Sequence, residues 1–181
     1  SVSVDIVLLS NKLLDNIRII LVEPAGALNV GSIARVMKNM GLYRLILVDP
    51  HCDFWGDEAR KMAVHGVDVL ETAQIVSSLP EALIGCQRAI ATTARSRTLP
   101  TPLESPKVAL PWLLDATLNS ALIFGPEDRG LSNTELNYAQ RFIGIPANPD
   151  YPSLNLAQAV AICVYELYQL TQKPLNSAPQ R

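Results

Sequence analysis

The sequence predicts an α/β fold, a mostly parallel sheet with helices on both faces, and three observations point there. Short runs dominated by Ile, Leu and Val recur along the 181 residues, each apolar at successive positions, as in strands buried on both faces. Longer stretches with helical spacing separate these runs, as crossovers between parallel strands require. Loops rich in Gly, Pro, Asn and small hydroxyl residues follow several of the runs, where open α/β sheets place their ligands.

Taken in order, "RIILVE" (18–23) is the first strand. In "NVGSIARVMKNMG", Val30, Ile33, Ala34 and Met37 fall at i, i+3, i+4 and i+7, with Asn29 as N-cap and Gly41 as the C-terminal stop. Arg35, Lys38 and Asn39 fall on other faces. "RLILVD" (44–49) is the second strand, and "GDEARKMAVHG" is a helix whose acidic residues lead and basic ones follow, as the helix dipole prefers. "RAIATT" (88–93) is the third strand. "ESPKVALPWLLDATL" is a helix with Pro106 in its first turn and Pro111 kinking or dividing it. "ALIFG" (121–125) is the fourth strand, followed by a helix with a Ser132–Glu135 capping box, and "RFIGIP" (141–146) is the fifth. The last helix runs from about 154 to 168. Its Ala157, Val160, Ala161, Val164 and Tyr168 form one face, and Ile162, Cys163 and Leu167 add apolar surface beyond it, which calls for a second packing partner, either another subunit or this domain itself.

These elements fit a single domain over 1–181, with its core at about 17–170 and a polar, proline-containing tail at 171–181. With 49% hydrophobic and 18% charged residues and a net charge of -2, the composition is that of a globular protein and excludes disorder. A pI near 5.7 argues against binding nucleic acid over the whole surface, while a local basic patch stays open. Cys52, Cys86 and Cys163, odd in number and far apart, read as reduced thiols of a cytosolic protein. His51 and Cys52 are adjacent but have no second pair at ligand spacing, so no metal is expected. No apolar stretch reaches membrane length and the first residues do not form a signal peptide, so a cytoplasmic protein without a membrane partner is expected.

Gly125 and Gly130 have the spacing of a phosphate-binding loop, but Leu131 stands where that motif needs lysine, and no GxGxxG occurs. Tight turn chemistry accounts for these glycines equally well. "TTARSRT" sets Arg95 and Arg97 among Thr92, Thr93, Ser96 and Thr98, a loop suited to phosphate contact or to plain solvation. In "NPDYPSLNLAQAV", Ser153 is placed to cap the final helix and Asn155 to stabilise its first turn.

Taken together, "NVGSIARVMKNMG", "FGPEDRGLSNTEL" and "IPANPDYPSLNLAQAVAICVYEL" resemble, in order and spacing, the three motifs of the SPOUT-class RNA 2'-O-ribose methyltransferases, within them the TrmH group and nearest the TrmJ-like tRNA enzymes. "ATTARSRTLP" stands where relatives carry a similar loop, and the match spans roughly 17–170. The resemblance implies a C-terminal trefoil knot, which topology rules alone would not suggest. It also implies a homodimer through the C-terminal helix and knot region, and methyl transfer from S-adenosylmethionine (SAM) to a ribose 2'-hydroxyl. The implied partner is RNA and not DNA, tRNA before rRNA, with a non-catalytic RNA-binding relative as the alternative.

Carried over residue by residue, the cofactor contacts are Thr92, Thr93, Ala94, Gly125, Ile145, Pro152, Ser153 and Leu154, mostly through main-chain groups. The catalytic positions are Arg35, Asn29, Glu127, Ser153 and Asn155, and the RNA contacts Arg35, Arg95, Arg97 and Arg129. A guanidinium is not deprotonated in proteins, so Arg35 is expected to hold a phosphate and stabilise charge growing on the ribose oxygen, not to act as the base. Pro126 and Asp128 stand where close relatives often have arginines, which moves the expected RNA-contacting charge to Arg129. Pro152 replaces a small hydroxyl residue and has no N–H to donate.

Overall fold

Each of the five predicted apolar runs forms a strand, and a sixth joins them at an edge. In the computed structural model, which describes residues 13–94 and 101–172, the strands are β1 (Ile17–Val22), β2 (Arg44–Val48), β3 (Gln74–Val76), β4 (Arg88–Thr92), β5 (Ser120–Phe124) and β6 (Arg141–Ile143). They pair in parallel throughout, in the order β3-β2-β1-β5-β4-β6. Four predicted strands overran by a residue, those now ending at Val22, Val48, Thr92 and Phe124. In the first two, Glu23 and Asp49 adopt left-handed backbone with φ of 47° and 43°, which bends the chain out of β1 and β2. The predicted "RFIGIP" strand ends early, at Ile143.

Alternation along the strands feeds two cores. Ile17, Ile19 and Leu21 of β1 face one side, with Leu122 and Phe124 of β5, while Ile20 and Val22 face the other with Ile123. On the first side lie α1 (Ala27–Asn39), α2 (Asp57–Ala63), α3 (Val67–Glu71), α5 (Pro106–Ala109) and α7 (Leu156–Thr171). On the second lie α4 (Leu79–Ala82) and α6 (Asn133–Leu136). Helices therefore cover both faces, as the buried parallel strands require.

Local deviations have local causes. α1 buries Val30, Ile33, Ala34 and Met37 as its spacing predicts, but starts at Ala27 with Gly26 as N-cap, which puts Asn29 inside the first turn and corrects its reading as the cap. Gly41, with φ of 74°, follows its end. The predicted helix in "GDEARKMAVHG" stops at Ala63, where Val64 turns to a φ of 52° and a 3-10 turn (Val64–Gly66) leads into α3. Pro111 stands in a second 3-10 turn, Leu110–Leu113, which divides the proline-containing helix as expected.

Two glycines let α1 sit directly against its neighbours. A Cβ on Gly31 would lie 2.3 Å from the Ala59 carbonyl oxygen, and one on Gly66 2.8 Å from the backbone of Ala34 and Arg35. Backbone on both sides leaves no flexible end to move aside, so Gly31→Ala is expected to destabilise the fold by about 1–3 kcal/mol, read as a lower urea midpoint at unchanged slope.

In α7, Cys163 and Leu167 are buried in this domain's own core, whereas Ile162, Tyr165 and Leu170 are exposed. The apolar excess of this helix therefore divides between an internal and an outward face. Among the described residues no helix is long and apolar enough to cross a membrane.

Candidate functional site

Three strands that stand side by side, β5, β4 and β6, release their chains at the same edge, and the loops that follow enclose one cavity of about 650 Å³. Thr92 and Thr93 enter it from β4, Gly125 to Leu131 from β5, and Ile143 to Pro146 from β6, with Pro152 to Leu154 closing the wall before α7. The loop ends are tied together: the Thr92 hydroxyl donates to the Ile123 carbonyl (3.1 Å) and the Thr93 N–H to the Ile143 carbonyl (2.9 Å). All eight residues that the resemblance named for the cofactor line this cavity: Thr92, Thr93, Ala94, Gly125, Ile145, Pro152, Ser153 and Leu154.

The turn after β5 is built on its two glycines. The Gly130 N–H donates to the Pro126 carbonyl (3.0 Å) and Gly130 has φ of 67°, while a Cβ on Gly125 would lie 2.5 Å from Gly130 C and Leu131 N. The spacing that resembled a phosphate loop thus lets the chain fold onto itself and project Glu127 sideways.

That carboxylate reaches the start of α1. Its Oε1 accepts the Ala25 N–H (2.9 Å), and its Oε2 accepts the Gly26 N–H (2.8 Å) and the Asn29 Nδ2 (3.0 Å). Glu127 thereby satisfies donors at the entry of a helix whose N-cap residue, Gly26, has no side chain to do so. Asn29 Oδ1 in turn accepts from Asn155 Nδ2 (3.0 Å), and Asn155 Oδ1 accepts the Ala157 and Gln158 N–H groups at 2.9 and 3.3 Å. Asn155, and not Ser153, is therefore the N-cap of α7, completed by the Gln158 side chain. Ser153 stays exposed on the cavity wall. One continuous chain, Glu127–Asn29–Asn155, joins the three motifs.

Burial pushes the Glu127 carboxyl up, but the hydrogen bonds from Ala25, Asn29 and Gly26 outweigh it and hold its pKa below the ordinary 4.5. Glu135 behaves alike, its burial outweighed by Arg129 and the Ser132 N–H. Such depressed groups contribute stability above about pH 4.5 that is lost as pH falls through their folded values. The melting temperature is expected to hold from pH 7 to about 5 and fall below that, and Glu127→Gln to flatten the acid limb; an equally steep fall in the variant would contradict this.

The remaining arginines divide. Arg129 lines the cavity but pairs with Glu135 (2.9 Å) and Glu23, so an RNA phosphate would have to compete with two carboxylates for it. Arg35 is exposed on α1, lies outside the cavity wall and makes no hydrogen bond or ion pair with the described residues. Arg95 and Arg97 lie outside the described residues.

Sequence reasoning weighed His51 only beside Cys52 and passed over Glu23 and Asp49. His51 Nε2 lies 3.3 Å from both carboxylates, and one ligand atom from each residue falls within 4.8 Å of the others. Glu23 shares its other oxygen with Arg129. Both acids end strands in left-handed backbone, which no residue pattern announces. Gly26 was also missed as a contact point; its position just before a helix and after a strand was the available signal.

The SpoU rRNA Methylase family matches residues 16–165. The tRNA (cytidine/uridine-2'-O-)-methyltransferase TrmJ of Pectobacterium atrosepticum is 45% identical over 157 residues, 86% of this chain and 65% of its own. The tRNA (cytidine/uridine/adenosine-2'-O-)-methyltransferase TrmJ of Pseudomonas aeruginosa is 42% identical over 158 residues, 86% of this chain and 61% of its own. The chain thus spans just under two thirds of the length of these relatives. A crystal structure of a putative methylase family protein from Neisseria gonorrhoeae superposes with a TM-score of 0.83 at 39% identity, covering 93% of this chain and 89% of the other.

Proposed function

This chain belongs to the SpoU rRNA methylase family, and from that membership we propose that it transfers a methyl group from SAM to a ribose 2'-hydroxyl of tRNA. The observation that carries the reading is the convergence of three loops on one cavity directly beside the Glu127–Asn29–Asn155 chain.

The cavity suits the donor. Its volume of about 650 Å³ lies within the usual range for cofactor sites, and Phe124, Leu131, Ile143 and Leu156 supply apolar wall for an adenine. Thr92, Ala94, Gly125, Ile145, Ser153 and Leu154 bring main-chain groups to its wall, while Pro152 has no N–H and the N–H of Thr93 is already given to Ile143. Arg129, the one cation among the described lining residues, is engaged by carboxylates, which favours an amino-acid nucleoside over a polyphosphate. When bound, SAM supplies an electrophilic methyl on a sulfonium.

The chain's own residues do the rest. Asn29, Glu127 and Asn155 fix the start of α1 against the start of α7, and Ser153 stands at the rim to orient the ribose. Arg35 grips the phosphate next to that ribose and stabilises charge developing on the 2'-oxygen. Arg95 and Arg97 hold more distant phosphates, and Arg129 joins them where a phosphate displaces Glu23 or Glu135. The relatives' names support a tRNA acceptor whose base is loosely specified. Such a reaction belongs in the cytoplasm.

We further infer a homodimer through the outward face of α7, supported by exposed Ile162, Tyr165 and Leu170. We also infer a trefoil knot in the segment from β4 to α7, supported by β6 lying outside β4 while β5 lies inside it.

Incubation with labelled SAM and separate pools of tRNA and rRNA, followed by nucleoside mass spectrometry, tests the function. A 2'-O-methylnucleoside in tRNA is expected. Methyl in rRNA alone would overturn the substrate, and none in either pool the activity.

A further inference from the structure

We propose that Tyr151 is a stacking platform for the base of the nucleotide whose ribose receives the methyl group, an assignment that rests on the RNA methyltransferase reading and adds a base contact to it. Tyr151 is 80% exposed, the most exposed large hydrophobic among the described residues, so its ring gains nothing from the fold. Its place is specific. The next three residues, Pro152, Ser153 and Leu154, line the donor cavity, and Asn155 joins the chain to Glu127. Tyr151 is thus the residue directly before the cavity wall, on the segment that also bears Ser153.

The loop is built to hold it there. The Tyr151 N–H donates to the Asn148 carbonyl (2.9 Å) and the Asp150 N–H to Asn148 Oδ1 (3.0 Å), closing a turn. Pro146, Pro149 and Pro152 fix φ before, within and after that turn, so little freedom is lost when a base lies on the ring. A ribose placed at the cavity has its base within one nucleotide's reach of this loop. Every base offers a π-face, so an aromatic platform holds the nucleotide while tolerating its identity, which matches the loosely specified acceptor proposed above.

The test compares Tyr151→Ala and Tyr151→Phe with the unaltered protein, using unfractionated tRNA as acceptor and calorimetry for SAM. Tyr151→Ala is expected to raise KM for tRNA about 5- to 100-fold, with SAM affinity within about twofold, and Tyr151→Phe to restore nearly all of it. Unaltered tRNA kinetics in Tyr151→Ala would overturn the proposal while the methyltransferase reading stands. So would an equal loss in both variants, which would assign the effect to the hydroxyl, or a loss of SAM affinity, which would place the ring in the donor pocket. Altered self-association with tRNA kinetics unchanged would place the ring between copies of the chain. If the unaltered protein neither binds SAM nor methylates tRNA, the underlying reading fails and the proposal falls with it.

Discussion

Arg35→Ala is expected to lower methyl transfer to tRNA about 10²- to 10³-fold while leaving SAM affinity within about twofold. The side chain stands exposed on α1, outside the cavity wall and without a partner among the described residues, so its removal should cost the fold little. Its guanidinium stays charged through the reaction, and its proposed work is to hold a phosphate and meet charge growing on the ribose oxygen. An interaction made mainly in the transition state lowers kcat and kcat/KM together, and that is the pattern expected. Arg35→Lys keeps the charge but loses the planar fork, so it should fall between the two. Full turnover in Arg35→Lys would remove the bidentate part of the account, and full turnover in Arg35→Ala would remove Arg35 from the reaction.

Gly125→Ala is expected to abolish SAM binding in the accessible concentration range and to lower stability by about 1–3 kcal/mol. The added methyl would lie 2.5 Å from backbone atoms of Gly130 and Leu131, neither of which is the end of a flexible side chain. The turn must open, and with it move Pro126 and Glu127, the cavity wall and the acceptor of the Ala25 and Gly26 N–H groups. Circular dichroism of the variant distinguishes a displaced loop from an unfolded chain. A folded Gly125→Ala protein that binds SAM normally would show that the turn's closure does not shape the pocket.

Strands with several consecutive branched aliphatic residues were legible in the sequence because both faces of the sheet are covered. β3 was not, since Gln74, Ile75 and Val76 form a short edge strand exposed for most of its length. The starts of α1 and α7 were misread for a shared reason. Capping preference assigned the role to the nearest polar side chain, Asn29 or Ser153, whereas at α1 a carboxylate 98 residues away from Asn29 receives the donors. At α7 the cap moved two residues on because Asn155 meets both its own helix and Asn29. A single sequence carries no sign of such long-range partners. Arg129 illustrates the same gap: in "PEDRG" it reads as a solvated or RNA-facing cation, yet Glu23, 106 residues away, and Glu135 engage it. The cavity residues were named through motif resemblance, because periodicity describes cores and says nothing of which loop ends meet.

Titration calorimetry with SAM tests the central claim most directly. The account predicts saturable binding at one site per chain, lost in Gly125→Ala and retained in Arg35→Ala. Absence of binding to the unaltered protein, or binding indifferent to Gly125→Ala, would contradict it.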